Sequence, residues 1–164
     1  MELAASLQTA LNEQLKRELI AHFLYKSMAM DLYHKGYDGF AAWMDNHATE
    51  EYGHFERIVA YLKEKDARVV LPELPKPTDS WSGVQDAVEA ALGHERKLTK
   101  DIHDLCALAE KEGDLETLSM LDWFVNEQVE EEHVVGRLLK RIALAGGQPS
   151  ALLALDGQMA ARGE

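Results

Sequence analysis

Four glutamates stand where leucines would be expected. Glu18, Glu51, Glu95 and Glu131 each fall at the centre of the apolar stripe of a long helical segment. At about 100° per residue, Glu18 shares its face with Leu7, Leu11, Leu15, His22, Tyr25, Ala29 and Leu32. Glu51 lies among Phe40, Met44, His47, His54, Phe55, Ile58 and Leu62, and Glu95 among Val84, Val88, Ala91, Ile102 and Cys106. Glu131 lies among Met120, Phe124, Glu127, Val134, Val135, Leu138 and Ile142. An unpaired buried carboxylate costs several kcal/mol against a net stability of only about 5–15 kcal/mol. Four carboxylates facing one core therefore need a shared counter-charge, and a bound metal cluster supplies it. The competing reading, that all four face solvent, requires the helical phase to be misjudged four times over.

The rest of the composition suits a helical protein. A chain of 164 residues, 46% hydrophobic and 28% charged, matches one domain with a substantial core. No apolar run reaches the roughly 20 residues of a membrane span. The opening MELAASLQTALNEQ lacks the basic and apolar regions of a signal peptide, so a cytoplasmic protein with no membrane partner is expected. The formal charge of −12 repels nucleic acid and attracts cations. The lone cysteine, Cys106, forms no internal disulfide or zinc motif and reads as a small buried hydrophobe.

Periodicity and punctuation predict helices over about 4–33, 39–65, 83–111, 114–145 and 149–160. Gly36 ends the first, Gly113 and Asp114 turn the third into the fourth, and Gly146, Gly147 and Pro149 precede a short apolar helix containing ALLAL. Ser82 with Gln85 reads as a capping box opening the third helix. The segment at about 67–82, with three prolines, is too long for an ordinary bundle loop. Its 16 residues, extended, reach roughly 53 Å, enough to run the length of a helix of about 42 Å. The expected fold is all-α: a four-helix bundle ordered up-down, crossover, up-down, with a short fifth helix. The four glutamates then lie at one height.

Glu51 and His54 form E-x-x-H, an i, i+3 pair on one face, while Glu18 and Glu95 are single inward glutamates. The fourth helix offers Glu127, Glu130 and Glu131, with Gln128 at the edge of that face. Several carboxylates and one imidazole make a hard, oxygen-rich site that suits iron or manganese, with zinc able to compete. His133 makes a second apparent E-x-x-H with Glu130 but points away from Glu127 and Glu131, so it reads as non-ligating. His22 and His47 face the same core, either as extra ligands or, more simply for His22, as a hydrogen-bonded core histidine.

Through LNEQLKRELIAHFLY, HATEEYGH, LGHE, DWFVNEQVEEE and the short terminal helix, the chain resembles the non-haem ferritins of bacteria and archaea along essentially its whole length, as a single ferritin-like domain. The resemblance implies a di-iron ferroxidase centre. Glu18, Glu51 and His54 hold the first iron; Glu51 (bridging), Glu95 and Glu131 hold the second, with Gln128 beside it. Glu50, Glu127, Glu130 and Glu131 match a third iron site, and Tyr25 matches the tyrosine beside the centre. The implied function is iron storage and detoxification: Fe(II) is oxidised by dioxygen or hydrogen peroxide, and Fe(III) is kept as a mineral in a homo-oligomeric cage of 24 subunits. Trp123 could donate an electron but reads better as core packing.

Other functions leave different marks. A haem-containing relative would carry Met where Tyr52 stands and E-x-x-H in register with Glu127, where this chain has Glu130, so no haem is expected. DNA-coating mini-ferritins often carry basic tails, which this acidic chain lacks. A cage-independent soluble di-iron oxidase or peroxidase remains the alternative. Ile20, Phe23 and Leu24, opposite Glu18, call for a cover, supplied by the crossover or by a partner helix. Leu118 and Leu121 stand where animal heavy chains place the acids of their iron channel; Asp114, Glu116 and Asp122 are nearby substitutes.

Overall fold

The computed structural model describes residues 3–160. Its helices are α1 (Ala5–His34), α2 (Asp38–Glu64), α3 (Val84–Glu112), α4 (Leu115–Ala145) and α5 (Pro149–Ala160). α1 packs on α2 and α3 on α4, α1 also meets α3, and α5 rests on α2 and α4. Among the described residues no helix is long and apolar enough to cross a membrane.

The apolar stripes do not build one continuous core. One cluster gathers Met28, Leu32, Phe40, Met44, Val88, Leu138 and Ile142 at one end. A second gathers Leu7, Leu11, Leu15, Ile58, Leu62, Ile102 and Phe124 at the other. On every long helix the switch between clusters falls beside the inward glutamate, so Glu18, Glu51, Glu95 and Glu131 form a buried polar layer between two hydrophobic ends.

The same clusters give the helix directions. α1 and α4 run from the second cluster to the first, while α2 and α3 both run from the first to the second. The bundle is therefore up-down, crossover, down-up, which corrects the order expected from sequence. A connection spanning the whole bundle returns the chain to the end where α2 began, so α3 must parallel α2.

That connection is laid along α1. Asn12 donates to the Arg68 carbonyl (3.0 Å) and accepts from the Val70 amide (2.7 Å). Ser27 donates to the Thr78 carbonyl (2.6 Å), and Asp31 accepts from the Trp81 amide (3.1 Å). Asn12 to Asp31 is 19 residues of helix, or about 28 Å. Trp81 is then buried in the first cluster. Val69 and Leu74 pack on the second cluster, but Val70, Leu71 and Phe23 stay exposed, so the crossover covers only part of the apolar face of α1.

Local chemistry sets the helix ends. Gly113 adopts φ 68°, and the Asp114 carboxylate accepts from the Thr117 amide (2.9 Å), stopping α3 and starting α4. The expected capping box at α3 is not formed. Asp86, not Gln85, reaches back to the Ser82 amide (2.8 Å), and the Gln85 side chain donates to Glu89 instead.

α5 closes the bundle end. Leu155 and Met159 enter the first cluster, and the Asp156 carboxylate accepts from the Phe40 amide (2.8 Å), filling a free donor at the start of α2. The two helices meet at Gly39, where an added Cβ would lie 1.8 Å from the Asp156 carbonyl oxygen. Because the obstacle is backbone, Gly39→Ala should push α5 off its seat at a cost of about 2–3 kcal/mol. The check is thermal melting together with hydrogen exchange, with protection lost first from the α5 amides.

Candidate metal centre

The polar layer is built from one or two residues per helix. α1 contributes Glu18 and Tyr25, α2 Glu51 and His54, α3 Glu95, and α4 Gln128 and Glu131; all are buried. His54 Nδ1 lies 3.2 Å from Glu51 Oε2 and 3.7 Å from Glu18 Oε2, and its Nε2 lies 3.6 Å from Glu127 Oε1. The Tyr25 hydroxyl donates to Glu95 Oε1 (2.6 Å). Gln128 Nε2 lies 3.3 Å from Glu95 Oε2 and 3.2 Å from the Glu95 carbonyl.

Three carboxylate oxygens in this layer, Glu18 Oε2, Glu51 Oε1 and Glu131 Oε2, are buried without a hydrogen bond. Leaving such atoms unpaired costs energy that an uncharged core would not. Glu18, Glu51 and His54 offer ligand atoms within 4.8 Å of one another. Two further groups meet the same condition: His54, Glu127 and Glu131, and His47, Glu50 and Glu131. A hard oxygen set with one nitrogen fits a divalent first-row cation.

Burial and mutual charge shape the protonation of the layer. Burial, then the neighbouring carboxylates, raises Glu51 and Glu95, and Glu131 is pushed up to about 8. Burial opposes the charged form of His54, but Glu18 and Glu51 outweigh it and raise the imidazole to about 11. Burial lowers His47 to about 4. Tyr25 is raised well above its ordinary value by burial, then by Glu95 and Glu51.

A pH dependence follows for the metal-free protein. A carboxylate with a raised folded pKa holds a proton that the unfolded chain has released, so stability falls as pH rises from about 4.5 through about 8. His54 adds stability that is present below about 6.5 and is lost as pH rises toward about 11. His47 opposes both, but only between about 4 and 6.5. Chelator-treated protein should therefore melt at a lower temperature at pH 8.5 than at pH 6.5, by about 5 °C or more. Saturating divalent metal should flatten that slope, because the cation replaces the protons. A melting temperature that rises across this interval in chelator would contradict the buried-acid electrostatics.

The remaining candidates separate clearly. Glu50 and Glu130 are exposed and Glu127 is half-buried; Glu130 belongs to none of the metal-capable groups among the described residues. His47 takes a place beside Glu131 instead. Its Nδ1 faces the Trp43 carbonyl at 3.1 Å, which leaves Nε2 directed at Glu131 Oε2, 3.5 Å away. His22 Nδ1 meets the Ala48 carbonyl at 2.6 Å, and the ring is hydrogen-bonded but half-buried rather than in the core. His133 is exposed in a groove with Arg137 and Arg141. Trp123 packs edge-on against His54 and Phe124 beneath the Arg57 guanidinium. Leu121 is core and lines no surface, while Glu116 pairs with Lys65.

Two residues beside the layer were given no role by the sequence motifs that contain them. Gln14, one turn before Glu18, is fully buried and donates to Glu18 Oε1 (2.7 Å). The signal was a lone amide inside a leucine stripe. His94, next to Glu95, has a buried Nε2 without a hydrogen bond.

The fold matches known proteins over nearly the whole chain. The model of the ferritin-like domain family fits residues 8–145. The chain belongs to the ferritin family. It is 34% identical over 146 residues to the bacterial non-heme ferritin of Campylobacter jejuni, covering 89% of this chain and 87% of that one. It is 31% identical over 160 residues to the non-heme ferritin of Staphylococcus epidermidis, covering 98% and 96%. The open pore ferritin of the hyperthermophilic archaeon Archaeoglobus fulgidus has the same fold at a TM-score of 0.95 and 33% identity, covering 97% of this chain and 98% of that chain. The resemblance carried by the sequence motifs thus holds, as does the ferritin-like bundle with its long crossover and short fifth helix.

Proposed function

We propose that this ferritin stores and detoxifies iron by oxidising Fe(II) at a paired site in the polar layer and retaining Fe(III) as mineral inside a homo-oligomeric shell, for which 24 subunits is the family's arrangement. The carrying observation is a buried layer in which Glu18 Oε2, Glu51 Oε1 and Glu131 Oε2 have no hydrogen bond, beside two metal-capable groups, Glu18 with Glu51 and Glu127 with Glu131, that share the His54 imidazole. Glu18, Glu51 and His54 would hold the first ferrous ion; Glu51, Glu95 and Glu131 would hold the second, with Gln128 steadying Glu95. Two ferrous ions give one electron each, reducing dioxygen to hydrogen peroxide, or hydrogen peroxide to water, with protons taken up from solvent. Tyr25, hydrogen-bonded to Glu95, holds that carboxylate in place and is a candidate donor of a further electron. The cytoplasm is the expected compartment.

Aerobic addition of Fe(II) to the purified protein, followed by absorbance and particle mass together, tests the reading. Rapid oxidation with iron kept soluble inside one large particle supports storage. Rapid oxidation by a small species would make the chain a soluble di-iron oxidase, and no oxidation above the buffer rate would overturn both.

A third ion beside the pair has better support from His47, Glu50 and Glu131 than from the exposed Glu130. His47→Ala should lower Fe(II) uptake in an anaerobic titration while leaving the first oxidative turnover nearly intact. Glu130→Ala should change uptake less. Complete loss of the first turnover in His47→Ala would make the imidazole a ligand of the pair itself.

A further inference from the structure

Glu18 is not held by the metal-facing residues alone. Its Oε1 accepts from the Gln14 side-chain amide at 2.7 Å, and Gln14 Oε1 accepts from Arg17 Nη1 at 3.1 Å. Arg17 Nε in turn faces Asp101 Oδ2 of α3 at 3.3 Å. A guanidinium only donates, and an ionised carboxylate only accepts, so the amide between them can face one way alone, nitrogen toward Glu18. The chain of contacts leads from the buried layer to the edge of the bundle, where Arg17 is partly exposed. It also ties α1, which carries Glu18, to α3, which carries Glu95.

The consequence for Glu18 is directional. With Oε1 occupied by Gln14, only Oε2 is free, and that atom is buried, without a hydrogen bond, and 3.7 Å from His54 Nδ1. A lysine at position 14 would also orient the carboxylate, but its full positive charge would repel an arriving cation. The neutral amide orients without that repulsion, and the guanidinium charge behind it is answered by Asp101.

We infer that Gln14, locked by Arg17 and Asp101, is a positioning residue that presents Glu18 to the first ferrous ion through a single oxygen and so sets the affinity of that position. This rests on the paired-site reading above. Outer residues of this kind typically change metal affinity by about 10- to 100-fold when removed.

The test uses the intact assembled protein and anaerobic Co(II), followed by its visible d–d absorption and by calorimetry, so that no turnover is needed. Gln14→Leu should weaken the tighter Co(II) step at least about tenfold and alter its band shape, while the second step changes little. Arg17→Met, at a partly exposed side chain where folding is not at stake, should give a smaller loss in the same step, because the freed amide can turn; Arg17→Lys should restore it. Unchanged Co(II) affinity and spectrum in Gln14→Leu or Arg17→Met, even with a lowered melting temperature, would reduce the contacts to packing and overturn the inference. If Gln14→Leu fails to fold, Arg17→Met decides alone. A wild-type protein that takes up no pair of Co(II) ions would instead overturn the paired site, and this inference with it.

Discussion

Alanine at Glu51 is expected to slow the initial phase of Fe(II) oxidation at least roughly tenfold, and alanine at His54 to do the same. Glu51 is fully buried, lies 3.2 Å from His54, and feels the charges of both Glu18 and Glu95. In the proposed paired site it stands between the two positions, and its loss would separate ions that react together. Stability should move the other way. Removing an acid that burial and like charge already disfavour relieves the metal-free layer, so the apoprotein of Glu51→Ala should melt no lower than wild type near pH 8. Stopped-flow absorbance and chelator-treated melts check the two halves. Unchanged initial rates would remove Glu51 from the centre.

Phe23→Glu is expected to break the assembled particle into small species with helicity largely intact. Phe23 is 45% exposed, beside the ring of His22, which in turn meets the exposed Tyr52. The crossover leaves this patch open. A partner subunit over the same face would bury Phe23, and a carboxylate there becomes an unpaired ion in an apolar contact. The small species should still oxidise Fe(II), since the layer lies within each bundle, but ferric oxide should precipitate because no shell confines it. Size-exclusion chromatography with light scattering decides: a full-size Phe23→Glu particle would refute the contact.

Helical phase was the strongest signal in the sequence, and it placed the four inward glutamates because a turn of 3.6 residues leaves little freedom over a segment near 30 residues long. The crossover announced itself by prolines and length. Its length also fixes the direction of α3, because a connection that spans the bundle returns the chain to the end where α2 begins and leaves α3 parallel to α2. Asn12, Ser27 and Asp31 fix that route through contacts to residues 50 to 58 positions away. Asp86 displaced Gln85 at the start of α3 because the chain enters one residue later than a capping box requires. Glu130 looked equivalent to its neighbours in sequence, yet it stands about 100° around the helix from Glu131. Gln14 has no legible role in the sequence, because an amide in an apolar stripe takes its meaning from partners such as Glu18 and Arg17.

The division of the polar layer between helices has a mechanical corollary. Glu18, Glu51 and His54 belong to the hairpin of α1 and α2, whereas Glu95, Gln128 and Glu131 belong to the hairpin of α3 and α4, and only the crossover joins the two covalently. A cation held by donors from both sides is a clasp across that seam. By mass action, cargo at 100 times its dissociation constant adds about 2.7 kcal/mol to the closed arrangement. Emptying the centre removes the clasp and restores repulsion among the carboxylates in the same place. Iron loading and the cohesion of the two hairpins are therefore one equilibrium, and a subunit drained of metal should breathe along that seam before it opens anywhere else.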